Sequence, residues 1–146
     1  MQIRKATLKD LTQLAELFDQ YRVFYEKESD LQGAKDFLTQ RLEKEESIIF
    51  VAEEANVLKG FVQLYPLFSS TRMKRLWLLN DLYVNATYRG QGVSVKLIDK
   101  AKELAHETKA VGLMLETAKT NAIGNKLYPR TGFELDTDHN YYSWDA

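Results

Sequence analysis

The stretch that decides the fold is RLWLLNDLYVNATYRGQGVSVKLIDKAKELA, residues 75–105. Its first third, Arg75 to Val84, is a long β-prone run with apolar residues at both odd and even positions. Asn80 and Asp81 are two polar residues at its centre. Such a run is typical of a central strand buried on both faces. A glycine-rich turn follows, and the residues after it repeat apolar side chains at helical spacing. The stretch therefore predicts a strand, a glycine loop and a helix, in that order.

Upstream of this unit, the pattern predicts a short first strand, two amphipathic helices and a β-hairpin. These elements are expected at residues 3–6 (strand), 11–21 and 30–46 (helices), and 47–52 with 60–65 (hairpin). Pro66 should interrupt or bulge the second hairpin strand, because proline cannot donate a ladder hydrogen bond.

Downstream of the unit, the chain predicts another strand at 112–117, a short helix at 121–128, and a final strand pair at 133–135 and 141–144. Pro129 should end the short helix. This order of elements predicts an α/β (α+β) fold. We expect a mixed, mostly antiparallel central sheet of six to seven strands, flanked by about four helices.

Composition restricts the chemistry that this chain can perform. Its 146 residues suit one globular domain spanning 1–146, with 45% hydrophobic and 28% charged residues. There is no cysteine, which excludes disulfides, thiolate nucleophiles and cysteine-based metal sites. The two histidines are not in a ligand-spaced pair, so no metal is expected. A net charge of −1 gives no bulk reason to bind nucleic acid or membranes, and the absence of a signal-like segment favours a cytoplasmic protein.

The glycine loop is a candidate anion site. Glycines between a buried strand and a helix let backbone N–H groups and the helix dipole face an anion at close range. The pattern Gly90-Gln91-Gly92 therefore suggests a pyrophosphate cradle, with an ordinary tight turn as the alternative. No Lys-Ser/Thr pair follows Gly92, which argues against nucleotide hydrolysis.

Two motifs together resemble the GNAT acetyltransferase superfamily. The run LYVNATYRGQGVS, residues 82–94, is similar to the family's motif A, Arg/Gln-x-x-Gly-x-Gly/Ala after a strand ending in valine. Ser94 replaces the usual small Gly or Ala. The run NAIGNKLYPRTGF, residues 121–133, resembles the second signature, an asparagine followed by Leu-Tyr and then Gly-Phe. The resemblance covers the whole chain and is firmest over residues 77–133.

The resemblance implies acetyl-CoA as the cosubstrate. Leu82 and Val84 would offer backbone groups to its pantetheine arm, and Asn121 would contact the same arm. The pyrophosphate would be held by the residues of the glycine loop: Arg89, Gly90, Gln91, Gly92, Val93 and Ser94. Other readings are that Leu82 and Val84 are core residues and that Asn121 is a helix cap.

The resemblance also implies the reaction, in which the acetyl group moves directly to a primary amine of a small molecule or a protein. Tyr128 occupies the family position of the acid that protonates the leaving thiolate, and a tyrosine packed on the sheet is the alternative. In relatives, a glutamate often stands where this chain has Asn80, and asparagine cannot accept a proton. Asp81, Glu116, or a water held by Asn80 and a backbone carbonyl, could act instead.

Acceptor recognition is expected from aromatic and polar residues: Tyr21, Arg22, Tyr25 and Trp77. Their rings could hold an ammonium by cation–π contact. Helix packing or a subunit interface, as in a homodimer, would explain the same residues. The alternative function is a non-catalytic acetyl-CoA-binding regulatory module, which Asn80 in place of an acid would suit.

Overall fold

The computed structural model describes residues 1–146 and divides them into two compact units, 1–115 and 116–146. The first unit holds five strands and three helices, and the second holds one helix. The strands are β1 (Gln2–Lys5), β2 (Ile48–Glu54), β3 (Val57–Ser69), β4 (Lys74–Val84) and β5 (Leu113–Met114). The helices are α1 (Leu11–Phe24), α2 (Leu31–Glu43), α3 (Val93–Glu107) and α4 (Ala122–Arg130). None of these helices has the length and apolar character needed to cross a membrane.

The sheet runs in chain order, β1-β2-β3-β4-β5. The first three pairings are antiparallel, and β4 pairs with β5 in parallel. The predicted mixed, mostly antiparallel sheet with four helices is confirmed. The expected six to seven strands are wrong, because the sheet has five.

The missing strands are the predicted final pair at 133–135 and 141–144. Their polar groups are satisfied locally, around one carboxylate. Asp136 accepts hydrogen bonds from the backbone N–H of His139 at 3.1 Å and from the Tyr141 hydroxyl at 2.9 Å. These bonds close a compact turn, in which no backbone ladder forms.

Pro66 does not interrupt its strand, contrary to the prediction. It pairs with Trp77, and β3 continues to Ser69. The Trp77 N–H donates to the carbonyl of Gly112 at 3.2 Å, so the backbone of Trp77 faces away from β3. Pro66 and Trp77 therefore form a non-hydrogen-bonded pair, in which no backbone N–H is required of the proline. On its other side, β3 pairs with β2 only as far as Leu64.

Pro129 also lies inside its element, in the last turn of α4, which ends at Arg130. The helix therefore continues one residue beyond Pro129, where the sequence predicted that it would end. The chain leaves the helix at Gly132, whose φ of 94° is favourable only for glycine.

The two faces of the sheet are covered by different helices. A core cluster on one face joins α1 and α2 to the sheet through residues such as Leu14, Leu38 and Phe61, all fully buried. On the other face, α3 buries a stripe that includes Leu97 and Ile98. Full burial of each such side chain contributes roughly 1.5–3 kcal/mol. The amphipathic stripes thus fix which face of the sheet each helix covers.

Candidate active site

A β-bulge interrupts the middle of β4 at Asn80. Leu79 pairs with Leu64 and Asp81 pairs with Gln63, so Asn80 has no partner across the ladder. In a regular strand, Leu79 and Asp81 would share one face. The extra residue shifts the alternation, and Asp81 turns to the face covered by α1.

Beyond the bulge, β4 has an open edge. β5 pairs with only two residues of β4, both before the bulge. The N–H of Asn85 donates to the carbonyl of Lys59 at 2.9 Å, which places Asn85 in register with β3. By alternation, the backbone groups of Leu82 and Val84 face away from β3, toward the open edge. The Val84 carbonyl there accepts a bond from Arg89 Nε at 3.1 Å.

The glycine loop joins this edge to α3. Gly90 and Gly92 have φ values of 75° and 76°, a region that side-chain-bearing residues rarely adopt. A Cβ atom on either glycine would meet no protein atom within 4 Å, so the space above the loop is open. Gly92 is the N-cap of α3, where no side chain caps the helix. The first N–H groups of α3 and the positive end of its dipole are thus available to an anion.

The remaining residues of the loop have different roles. Val93 is buried and anchors the first turn of α3, whereas Gln91 is exposed and Ser94 is half-buried. The Arg89 guanidinium lies 5.5 Å from the ring centre of Tyr83, in addition to its bond to the β4 carbonyl. The side chain of Arg89 therefore braces the loop against β4.

Asp81 is the buried acid of the site, with only 4% of its surface exposed. Its carboxylate accepts hydrogen bonds from Gln63 Nε2 at 2.5 Å and from Asn80 Nδ2 at 2.9 Å. Burial raises the pKa of Asp81, and the bonds from Gln63, Tyr21 and Asn80 act in the opposite direction. A carboxyl group with a raised pKa is a stronger proton acceptor than an exposed aspartate.

The structure brings part of the predicted acceptor group to the bulge. The Tyr21 hydroxyl donates to the carbonyl oxygen of Asn80 at 3.4 Å, and its ring meets Tyr25 edge-on at 5.1 Å. Tyr25 is 37% exposed. The side chain of Arg22 donates instead to the backbone carbonyl of Glu28 at 2.9 Å, beyond the end of α1.

The structure does not bring Trp77 into this group, and its role as an acceptor contact stays a prediction. Its side chain is only 4% exposed, and its indole N–H donates to Thr108 Oγ1 at 2.9 Å, at the end of α3. Trp77 precedes the bulge, so it faces α3, on the side of the sheet opposite Tyr21.

In the second unit, Asn121 is the N-cap of α4. Its Oδ1 accepts a hydrogen bond from Gly124 N at 3.1 Å, and its Nδ2 donates to Thr117 Oγ1 at 2.9 Å. The capping role suggested as an alternative is therefore present, and a ligand contact stays a prediction. Tyr128 is half-buried and packs edge-on against Phe133, with ring centres 5.7 Å apart.

Sequence reasoning missed the residues that hold Asp81. Gln63 is fully buried in β3, and its Oε1 accepts a bond from the Ser47 hydroxyl at 2.7 Å. A signal was available, since Gln63 interrupts an otherwise apolar run of four residues, Phe61 to Leu64. A polar side chain in such a run requires a partner. The structure contains no cluster of acids and histidines suited to a metal ion.

The family is decided by comparison with known proteins. The family model described as the acetyltransferase (GNAT) family matches residues 11–133. The chain belongs to the GNAT acetyltransferase family. The resemblance found in the sequence motifs is thereby confirmed, and proteins of this family use acetyl-CoA.

Relatives of this GNAT protein align over nearly its whole length. The N-acetyltransferase YhfO of Bacillus subtilis strain 168, described as uncharacterized, is 46% identical over 142 residues, covering 97% of this chain and 95% of the relative. A probable acetyltransferase of Haemophilus influenzae is 33% identical, covering 92% and 97%. The crystal structure of a probable acetyltransferase superposes with a TM-score of 0.94 at 41% identity, covering 100% of this chain and 98% of the other.

Proposed function

We propose that this GNAT protein is an enzyme that transfers the acetyl group of acetyl-CoA directly to a primary amine, of a small molecule or a protein. The observation that carries the proposal is the bulge at Asn80. The bulge turns the buried carboxylate of Asp81 to one face of β4. The open edge of the same strand leads through the glycine loop to the N-terminus of α3. A proton acceptor and an anion cradle are the two things that this reaction requires of the protein.

The residues present suit the cosubstrate, which supplies the acetyl group as a thioester. The backbone groups of Leu82 and Val84 would bind its amide-rich pantetheine arm in the manner of an added strand. The loop 89–94 would hold the pyrophosphate, for which the open space above Gly90 and Gly92 leaves room. From its place in the second motif, Asn121 is proposed as a further contact to the arm.

Deprotonation of the acceptor is the main energetic task. An alkyl ammonium with a pKa of ~10.4 is ~3.4 units from neutrality at pH 7, which costs about 4.6 kcal/mol. Asn80 cannot accept this proton. We propose that Asp81 accepts it through a water held near the bulge, where the Asn80 carbonyl and the Tyr21 hydroxyl lie. Tyr128 is proposed, from its place in the motif, to protonate the leaving thiolate.

Acceptor binding is assigned to Tyr21 and Tyr25. Their rings meet edge-on next to the bulge, and Tyr25 is partly exposed. Aromatic faces attract an ammonium group, and the neighbouring carboxylate favours it as well. Arg22 stays a weaker candidate, because its guanidinium bonds to the loop after α1. A cytoplasmic location, a homodimeric state and the absence of nucleic-acid or membrane partners stay predictions.

A second candidate is a non-catalytic module that binds acetyl-CoA and regulates a partner. The observation in its favour is the amide at Asn80, where relatives often have an acid. A binding module has no use for a proton acceptor, however, and the buried Asp81 is held by three side chains. Turnover distinguishes the two functions.

The test is a panel of primary amines, assayed for release of free thiol from acetyl-CoA between pH 6 and pH 9. The protein has no cysteine, so it contributes no thiol background. We expect at least one amine to give turnover that rises with pH, because the neutral amine is the nucleophile. Reactions without amine control for thioester hydrolysis. Acetyl-CoA binding without turnover of any amine would favour the regulatory module.

A further inference from the structure

Three buried polar side chains form a line through the sheet, from Ser47 through Gln63 to Asp81. Their exposed fractions are 7%, 0% and 4%. The Ser47 hydroxyl donates to Gln63 Oε1 at 2.7 Å, and Gln63 Nε2 donates to Asp81 Oδ2 at 2.5 Å. Buried polar groups are costly unless they are paired, so this line persists only because its members are bonded to one another.

The carboxylate of Asp81 decides which end of the Gln63 amide faces it, because an ionised carboxylate only accepts hydrogen bonds and the amide N–H group must donate. With the amide reversed, its oxygen would oppose the carboxylate and repel it. The Ser47 hydroxyl donates to the amide oxygen at the other end. Ser47 therefore holds the far end of the Gln63 amide in place, and Gln63 in turn orients Asp81.

Other groups also face Asp81 from the surrounding elements. Asn80 donates to its second oxygen from β4, and Tyr21 bonds to it from α1. Tyr65, on β3, interacts electrostatically with Asp81. Burial, and after it the negative charge of Asp81, raise the pKa of Tyr65 to about 12. The charged residues Arg41 and Glu46, at the end of α2 and just beyond it, act on Tyr65 in opposite directions.

We propose that Gln63, held in place by Ser47, is a positioning residue that directs the Asp81 carboxylate for deprotonation of the acceptor amine. This inference rests on the proposed function, in which Asp81 receives the acceptor's proton through water. The bond from Gln63 stabilises the ionised carboxylate, which is the form that accepts a proton. Oδ2 is occupied by this bond, so the carboxylate is held in one direction.

The first test is Gln63→Met, which keeps the length of the side chain and removes the N–H donor. Loss of a hydrogen bond to a buried carboxylate should raise the pKa of Asp81 by about one unit. The limb of kcat against pH that reports ionisation of Asp81 should move to higher pH by the same amount, with little change in the affinity for acetyl-CoA. The rise that reports ionisation of the amine should stay where it is.

Ser47 provides a milder second variant, in case Gln63→Met does not fold. Ser47→Ala removes the bond that holds the Gln63 amide oxygen, so the amide is held less firmly against Asp81, and the limb should move in the same direction by a smaller amount. Ser47→Thr keeps the hydroxyl and should restore the profile of the unchanged protein. A structural role alone would not link a hydroxyl at position 47 to the pH dependence of turnover.

Gln13→Met is the matched control. The Gln13 side chain makes two hydrogen bonds of similar length within the same unit, to the backbone of Leu58 at 2.9 Å and of Asn56 at 3.0 Å. The variant should lose stability without moving the pH profile. Carbon-13 NMR of labelled aspartate, assigned with Asp81→Asn, measures the pKa of Asp81 directly.

The outcomes separate the two ideas. A parallel shift of the Asp81 titration and the kinetic limb supports the positioning role. If the variants of Gln63 and Ser47 keep normal turnover with an unchanged kinetic limb, or an unchanged Asp81 titration, this inference is overturned. The proposal of amine acetylation is then unaffected. An unchanged protein that acetylates no amine overturns the proposed function, and this inference with it.

Discussion

At the scale of single residues, Asn80 and Asp81 contribute different groups to the bulge in β4. The bulge leaves the carbonyl of Asn80 bonded to the Tyr21 hydroxyl, while its side-chain amide bonds to Asp81. Asn80 thus contributes an acceptor and a donor but no titratable group. The titratable group lies one position further along the strand, in the Asp81 carboxylate, whose pKa is raised by burial.

Tyr128 provides the residue-scale prediction. If its hydroxyl protonates the leaving thiolate, Tyr128→Phe should lower kcat about 100-fold, because a positioned acid contributes at least that much. The ring keeps its edge-on contact with Phe133, so the melting temperature should change little. Steady-state kinetics beside a thermal melt measures both effects.

The control for this variant is Tyr142→Phe, which removes the same hydroxyl from a residue that is 91% exposed. It should change neither turnover nor stability. Near-full turnover in Tyr128→Phe would assign Tyr128 a packing role and leave the thiolate to be protonated by another group.

At the scale of elements, the strand, glycine loop and helix of residues 75–105 were predictable because their signals are local. Apolar spacing sets the helix, and two glycines set the turn. The errors at Pro66 and Pro129 have another origin, since the cost of a proline depends on whether a partner needs its N–H. That depends on tertiary pairing, which the local sequence does not contain.

The candidate site was predictable to the same degree. The loop residues and the open backbone of Leu82 and Val84 follow from motif and alternation. The contacts of side chains from distant segments were not predictable. Gln63 and Ser47 reach Asp81 only after β2, β3 and β4 have paired. The separation of Trp77 from Tyr21 on opposite faces of the sheet was not predicted, and the bulge that turns Asp81 toward Tyr21 carries no clear sequence signal.

The glycine loop provides the element-scale prediction. Gly92→Val should greatly weaken acetyl-CoA binding, because valine disfavours the φ of 76° and its side chain would enter the open space above the loop. Calorimetry with acetyl-CoA is the measurement. Asn56→Val is the control: Asn56 also has a positive φ, of 64°, but it lies in the turn between β2 and β3.

The control should lose stability and retain its affinity. If both valine variants bound acetyl-CoA as tightly as the unchanged protein, the loop would be an ordinary tight turn. The pyrophosphate would then have to be held elsewhere.

At the scale of the whole molecule, the expectation of one domain over residues 1–146 stays a prediction. The second compact unit contains one helix and no disulfide, and a chain segment of that size rarely folds without a larger core. We therefore expect the chain to unfold as a whole, with single titratable groups changing its stability through linkage with pH.

Asp81 and Asp10 should affect this stability in opposite directions. Burial raises the pKa of Asp81, so its contribution to the free energy of unfolding is greatest at low pH and falls as pH rises from about 4 through the folded-state pKa. The hydrogen bonds from Arg4 are the main cause that lowers the pKa of Asp10. The contribution of Asp10 is therefore present above its unfolded-state pKa and is lost as pH falls.

Thermal melts of Asp81→Asn and Asp10→Asn across pH 3–8 test this pair. Asp81→Asn removes a buried charge at neutral pH, so its melting temperature relative to the unchanged protein should increase as pH rises, while turnover is lost. Asp10→Asn should be destabilised at pH 7 and approach the unchanged protein at pH 3. A pH-independent difference for Asp81→Asn would mean that burial costs the carboxylate nothing. Asp81 would then lack the raised basicity that the proposed reaction requires.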